Sequence, residues 1–420
     1  MDALESNVRS YSRSFPIELA KGKGAVVWDK YGDAYIDFLS GCGSLNYGHN
    51  HPELKSRLED YINSDGVTMS MDFESHSRNL FLESLQKNIL TSRSMDYRVQ
   101  FTGPTGANAV EAAIKLARKI TGRTNVIAFT NAFHGCSLGA LSLTANSHHR
   151  ESSKSQLTNV SRFPYDGYFG GCCNTANQLE KIMDDPSGGC DAPAAIVLEI
   201  VQGEGGLNVA SEQWLQRIAQ IARKQNALLI VDDIQAGCGR LGTFFSFENI
   251  KDFSPDMVTM AKGISGYGLP MSLVLLKPEW DQWLPGEHNG TFRGNNLAFV
   301  TAAAALDIFW STPAFQERIQ ENATIVKNEL DKFATEFGFL SKGRGMMTGV
   351  NFRSGELAAQ VQRNCFKSKL IVETCGPCDE ILKLLPPLTV SHEEIKQAFS
   401  IINQSMHLVK GTEQERSKVA

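Results

Sequence analysis

Between about residues 97 and 276, short apolar runs alternate with helical stretches, and this alternation limits the fold more than any other feature of the chain. The runs cover residues 97–101, 125–129, 194–200, 227–231, 257–260 and 271–276. Amphipathic segments such as 108–119 and 212–224 separate them. Strands that alternate with helices imply an α/β protein with a mostly parallel sheet covered on both faces. The ligand site of such a sheet is expected at the carboxyl ends of its strands. Upstream, residues 24–38 read as a hairpin, because apolar runs flank the turn Asp29-Lys30-Tyr31-Gly32-Asp33. Beyond residue 300 come two long helical segments, shorter strands and a polar tail ending Glu413-Gln414-Glu415-Arg416-Ser417-Lys418. We therefore expect a large domain over residues 51–296 and a small α+β domain drawn from both chain ends, residues 1–50 and 297–420.

Composition excludes several classes of function. The chain has 420 residues, 42% of them hydrophobic, which is enough for a large core and more than one domain. A formal net charge of -5 gives no electrostatic case for binding nucleic acid or an anionic membrane. No stretch reaches the roughly 18 apolar residues of a membrane span. The longest candidate, residues 297–310, carries Asp307 and reads as a buried alanine-rich helix. The N-terminus has neither a basic start nor an apolar core, so no signal peptide is expected. Nine cysteines, an odd number without a regular framework, suit free thiols in a reducing cytoplasm.

The chemistry gathers at strand ends. Asp232 follows the run 227–231, and Ile234 and Gln235 come next. About thirty residues on, Lys262 stands among small residues in Met260-Ala261-Lys262-Gly263-Ile264-Ser265-Gly266. A reachable lysine can condense with an aldehyde, and a buried carboxylate can keep a pyridine nitrogen protonated. Ile234 can cover one face of such a ring, and Gln235 can donate to a ring oxygen. These are the parts needed to hold pyridoxal phosphate (PLP). Upstream, Thr102-Gly103-Pro104-Thr105-Gly106-Ala107-Asn108 joins a strand to a helix. There small residues, the first helical N–H groups and the Thr105 hydroxyl suit a phosphate. Phe133 and His134 follow the run 125–129, and Phe133 can lie against the ring's other face. Glu199 and Glu204 flank a glycine-rich turn and can contact a substrate amine or a mobile basic residue. Each feature alone has a plainer reading as a surface lysine, helix cap, core aromatic or solvated turn. Their order along one sheet edge favours the cofactor.

Two motifs are decoys. Gly237-Cys238-Gly239-Arg240-Leu241-Gly242 fits G-x-G-x-x-G, but Asp232 to Gln235 intervene after the strand and no amphipathic helix follows. Cys375-Gly376-Pro377-Cys378 resembles a redox pair, yet it lies between apolar runs and reads as a turn between strands. No second CxxC completes a zinc site, and no metal is expected.

Taken together the residues resemble the class III (ω-amino acid) aminotransferases of fold type I, over nearly the whole chain. The resemblance rests on Gly32-Asp33-Ala34-Tyr35-Ile36-Asp37-Phe38, Asn46-Tyr47-Gly48-His49, Thr105-Gly106-Ala107-Asn108, Phe133-His134-Gly135, Glu199 through Gly206, Asp232 through Gly242, Lys262 and Thr291. It implies that Lys262 holds PLP, Asp232 pairs with the ring nitrogen, Gln235 contacts the ring oxygen, and Phe133 and Ile234 sandwich the ring. It further implies that Thr105 and Gly106 bind the phosphate, and that Thr291 reaches the phosphate of a neighbouring subunit. A homodimer or higher homo-oligomer with active sites at the interface follows. Within the family the chain looks most like the diaminobutyrate-forming branch that feeds ectoine synthesis. Its stretches include Ile264-Ser265-Gly266-Tyr267-Gly268-Leu269-Pro270 and Lys383-Leu384-Leu385-Pro386-Pro387-Leu388-Thr389. The implied reaction moves the amino group of L-glutamate to the aldehyde of L-aspartate 4-semialdehyde. Another terminal aldehyde, such as succinate semialdehyde in a 4-aminobutyrate enzyme, and an aminomutase are the alternatives. Several positions depart from the wider family. Lys383 stands where ornithine and 4-aminobutyrate enzymes carry the arginine that receives glutamate's α-carboxylate and pairs with the acid matching Glu204. Cys136 stands where those enzymes carry another arginine, so recognition of the distal carboxylate must come from elsewhere, and Arg293 is a candidate. Pro104 replaces a glycine and removes one phosphate-binding N–H.

Overall fold

A computed structural model describes residues 4–419, with side chains described through residue 411. The polar C-terminal tail falls beyond those side chains. Three short strands open the chain, β1 (Leu19–Lys23), β2 (Val26–Asp29) and β3 (Ala34–Asp37). β2 and β3 form the antiparallel hairpin expected around Asp29 to Asp33. Asp29 Oδ1 closes that turn by accepting the N–H groups of Tyr31 (2.9 Å) and Asp33 (3.0 Å).

The central strands are β4 (Arg98–Phe101), β5 (Val126–Phe129), β6 (Val160–Phe163), β7 (Ala195–Leu198), then the short pair β8 (Val201–Gln202) and β9 (Asn208–Val209), then β10 (Leu228–Asp232), β11 (Met257–Met260) and β12 (Leu273–Leu276). Seven of them form one sheet in the order β4-β12-β11-β10-β7-β5-β6. β6, β5, β7, β10 and β11 run parallel, whereas β12 runs antiparallel to both β11 and β4. Every residue of β5, β7, β10, β11 and β12 is buried, as expected of strands covered on both faces.

The helices owe their places to small or apolar stripes. Gly106–Thr121 buries Ala109, Ala112, Ala113 and Ala117 with Val110, Ile114 and Leu116. Those alanines let the helix approach the sheet closely. Gly122 ends it at φ 67, a left-handed conformation that glycine adopts without a Cβ penalty. Glu212–Lys224 starts at Ser211, whose Oγ accepts the Trp214 N–H, a cap worth about 1 kcal/mol. The run expected to be a buried alanine-rich helix is Asn296–Phe309. No single helix among the described residues is long and apolar enough to cross a membrane.

The C-terminal third adds β13 (Leu340–Arg344), β14 (Met347–Asn351), β15 (Leu370–Ile371), β16 (Glu373–Cys375) and β17 (Ile381–Leu384). β13, β14, β17 and β16 form an antiparallel sheet. β15 instead joins β3 in parallel, so strands from opposite ends of the chain share one sheet. Cys375 to Cys378 fall at the turn between β16 and β17, where the sequence puts them, and all nine cysteines are free thiols.

Candidate active site

The carboxyl ends of β4, β5, β7, β10 and β11 surround a cavity of about 410 Å³. Pro104, Thr105 and Gly106 line it after β4, and Phe133 and His134 after β5. Glu199 and Glu204 line it after β7, and Asp232, Ile234 and Gln235 at and beyond β10. Lys262, beyond β11, is half-buried on the same wall.

Asp232 is 5% exposed, and its Oδ2 lies 2.7 Å from His134 Nδ1. Its Oδ1 accepts the Ile234 N–H at 3.2 Å. Burial alone lowers the His134 imidazole, but the hydrogen bond and charge of Asp232 outweigh it and raise the group. His134 thus orients Asp232, a role that its motif did not reveal. The neighbouring Asp233 faces the other way, and its Oδ2 accepts the Ser246 N–H at 3.1 Å. Burial pushes Asp233 up to about 7. In the unfolded chain the same carboxyl ionises near pH 4. Ionisation therefore costs stability progressively as pH rises above that value, and the full cost applies above pH 7. Asp233→Asn, which cannot ionise, gains on the parent by about 1–4 kcal/mol between pH 5 and pH 8. Thermal melts at both pH values test this, and a pH-independent difference refutes it.

Burial likewise pushes Glu199 up to about 7, against the charge of His134. Glu199 accepts the N–H groups of Phe133 (3.1 Å) and Gly203 (3.2 Å), which pins the ends of β5 and β7 to each other. At the β4 end, Asn108 Oδ1 accepts the Thr105 N–H (3.2 Å) and hydroxyl (2.9 Å). The N-terminus of the helix Gly106–Thr121 stands at the cavity, which Thr105, Gly106 and Ala107 line. Gly106 is required there, because a Cβ would stand 2.8 Å from Ile234 Cδ1.

Gln235 departs from the expectation that it donates to a ring oxygen. Its Nε2 already donates to Glu204 Oε1 (3.1 Å) and to the Cys42 carbonyl (3.2 Å). Its buried Oε1 has no partner, so the unused capacity is that of an acceptor. Close backbone approach explains the arrangement, since a Cβ on Gly203 would fall 1.8 Å from that oxygen.

Lys383, on β17, is fully buried and lies 2.8 Å from Glu204 Oε1. Burial would raise Glu204, but the Lys383 and Lys262 charges hold it down to about 2. A second acid, Glu373 on β16, lies 2.9 Å from the same ammonium. Sequence reading overlooked Glu373, although an acid and a lysine embedded in two apolar strands around one turn signal a cross-strand pair. Arg293, the candidate reader of the distal carboxylate, does not line the cavity of this chain, and neither does Thr291, whose expected place is a neighbouring subunit's site. Arg293 ion-pairs with Asp72, and Thr291 is exposed in the short helical turn Thr291–Gly294. The 3₁₀ turn ending in Gly294 directs Arg293 toward the segment around Met71 and away from the strand ends.

The class III aminotransferase family description matches residues 8–406. A diaminobutyrate–2-oxoglutarate transaminase of Vibrio parahaemolyticus is 52% identical over 96% of both chains. One of Nocardia farcinica is 50% identical over 97% of this chain and 94% of its own. Among solved structures, an ornithine aminotransferase of Toxoplasma gondii superposes with a TM-score of 0.84 at 25% identity, covering 98% of this chain and 94% of the other. With the match running from the N-terminal hairpin into the last helix, the chain belongs to the class III aminotransferases, a family of PLP-dependent transaminases.

Proposed function

We propose that this protein transfers the amino group of L-glutamate to L-aspartate 4-semialdehyde, yielding 2-oxoglutarate and L-2,4-diaminobutyrate, with PLP as cofactor. The observation that carries the chemistry is the convergence of Lys262, Asp232 with its His134 partner, and Ile234 on one cavity. The substrate reading is supported by relatives near 50% identity that bear the diaminobutyrate name.

The residues present fit the cofactor. The glycine cradle at Gly106, which a Cβ would fill, and the helix N-terminus behind it suit a phosphate, with Thr105 beside them. Phe133 and Ile234 are apolar walls for a flat ring. Asp232, buried and fixed by His134, would keep the ring nitrogen protonated. Gln235, which lines the same cavity, would be available to the cofactor through its unpartnered Oε1. Once bound, PLP supplies an electron sink for the charge that develops when a proton leaves the substrate carbon next to the amine. Lys262 would anchor the cofactor and then carry that proton away from and back to the substrate. Glu199 and Glu204 would line the substrate end of the cavity, with Lys383 buried behind Glu204. The reading extends to a cytoplasmic homodimer in which Thr291 serves the partner's phosphate site. It includes a large domain of residues 51–296 and a small one from the two chain ends. Arg293 keeps a substrate role only in such an assembly, because within one chain it is paired with Asp72.

The test is 2-oxoglutarate release from L-glutamate by purified protein, with aspartate 4-semialdehyde or succinate semialdehyde as acceptor. A preference for aspartate 4-semialdehyde of at least about tenfold, one well-placed polar contact, is expected. Preference for succinate semialdehyde would replace the substrate reading and keep the aminotransferase. Amino transfer without release of 2-oxoglutarate would point to isomerisation instead.

A further inference from the structure

Beyond the Asp232–His134 pair lies a guanidinium that the chemistry above does not use. Arg162 stands on β6, in register with Ala128 of β5, the strand that leads to His134. Its Nη2 donates to three successive carbonyls, those of Ser142 (2.9 Å), Leu143 (3.2 Å) and Thr144 (3.0 Å), where the short helix Leu138–Leu143 ends. Thr144, fully buried, carries the contact inward. Its hydroxyl accepts the His134 N–H at 3.0 Å and donates to the Gly135 carbonyl at 3.0 Å. The backbone that presents the imidazole to Asp232 is therefore fixed through Arg162.

A cation at a helix C-terminus is an ordinary structural device. This one is charged without a counterion. Among the described residues no carboxylate lies within ion-pair distance of Arg162, and its buried Nε has no partner. Arg150 adds a second guanidinium instead of an acid, its Nη1 donating to the same Thr144 carbonyl at 3.0 Å. Burial first, and then Arg150, push Arg162 down to about 10, so it stays cationic at neutral pH. The charges that act on the imidazole oppose one another. Asp232 on β10 and Glu199 beyond β7 favour its protonation, and Arg162 on β6 disfavours it. The balance matters because a protonated His134 cancels the charge of Asp232, whereas a neutral one leaves the carboxylate whole.

We propose that Arg162 is a positioning residue for the reaction, one that anchors His134 through Thr144 and keeps its imidazole a neutral donor, so that Asp232 faces the cofactor's ring nitrogen as an undivided negative charge. This rests on the aminotransferase reading and adds to it a residue outside the cavity lining, which acts only through His134. Without the guanidinium the imidazole would hold its proton to higher pH, and Asp232 would be neutralised over that range.

The experiment uses the PLP-loaded enzyme with two readouts, NMR of isotope-labelled histidine, with His134→Gln to identify the signal, and the pH profile of kcat. The parent His134 is expected to be neutral at about pH 8.5. Arg162→Gln is expected to raise the pH at which His134 loses its proton, and the acid limb of kcat with it. The shift should be roughly half to one pH unit, that of one charge across a partly screened interior. KM for L-glutamate should stay within about twofold, because Arg162 does not meet the substrate. Arg162→Lys, which keeps the charge and loses the grip on three carbonyls, should leave the acid limb in place. Arg162→Met takes the place of Arg162→Gln if the latter does not fold. An acid limb unmoved in the neutral variant, or moved as far in Arg162→Lys, would mean that Arg162 only caps a helix and would overturn the proposal. A parent His134 protonated at about pH 8.5 would overturn it whatever the variants do. A parent without turnover, whose His134 still shifts in Arg162→Gln, would count against the aminotransferase reading alone.

Discussion

Lys262→Ala is expected to lose on the order of 10⁴-fold or more in turnover while melting within a few degrees of the parent. Lys262 projects from the end of β11 onto the cavity wall and is half-buried. Its charge helps to hold Glu204 ionised, but Glu204 keeps its direct partner Lys383 when Lys262 is removed. Its backbone sits at φ 52, a left-handed conformation that costs a residue with a Cβ about 1–2 kcal/mol. Such strain is retained where position matters more than stability. Lys262→Gly should therefore be as inactive as the alanine variant and about 1 kcal/mol more stable. The checks are 2-oxoglutarate release and thermal melts on the same preparations. Near-normal turnover in either variant would remove Lys262 from the chemistry.

Asp232→Asn is expected to lose about 10²- to 10³-fold in turnover, the scale of one preorganised charge aimed at the reacting system. The substitution preserves shape and leaves an oxygen for the Ile234 N–H. It removes the charge and presents an amide to His134 Nδ1, 2.7 Å away. The imidazole must then accept where it had donated, which reverses its tautomer. The tautomer change reaches His134 Nε2, which is buried without a partner. Cofactor content by absorbance separates lost binding from lost rate, and retained cofactor with slowed turnover is the expected result. Unchanged kinetics would mean that another group supplies the charge.

Much of this architecture is legible along the chain because parallel strands leave plain marks. β6, Val160-Ser161-Arg162-Phe163 and only partly buried, leaves no such mark. The other six of the seven strands of the large sheet coincide with a run legible in the sequence, and the cofactor residues follow such runs at their carboxyl ends. Asp232, Ile234, Phe133 and Lys262 accordingly meet at one cavity. The direction of β12 was not legible, since a run buried on both faces reads the same either way. Nor was the bonding of Gln235, whose donors are captured by Glu204 and by a carbonyl nearly two hundred positions away in the chain. Glu373 was visible as a letter, but the adjacent CxxC drew the reading to the turn. Its importance lies in the register of β16 against β17, which only the folded sheet displays. Arg293 falls outside the cavity because within a single chain it pairs with Asp72.

The pairing of β3 with β15 has a consequence for how this chain reaches its native state. Ile36 and Asp37 take their parallel partners from Leu370 and Ile371, so the first sheet is complete only when nearly nine-tenths of the chain has been made. Until then the β1–β3 hairpin leaves the ribosome with an open edge, and an unpaired edge is a template for wrong partners. The large sheet, whose strands all come from the middle of the chain, has no such delay. Folding should therefore begin in the middle and end by joining the two termini. The slow step is loop closure across more than three hundred residues, the kind of long-range contact that sets folding rates.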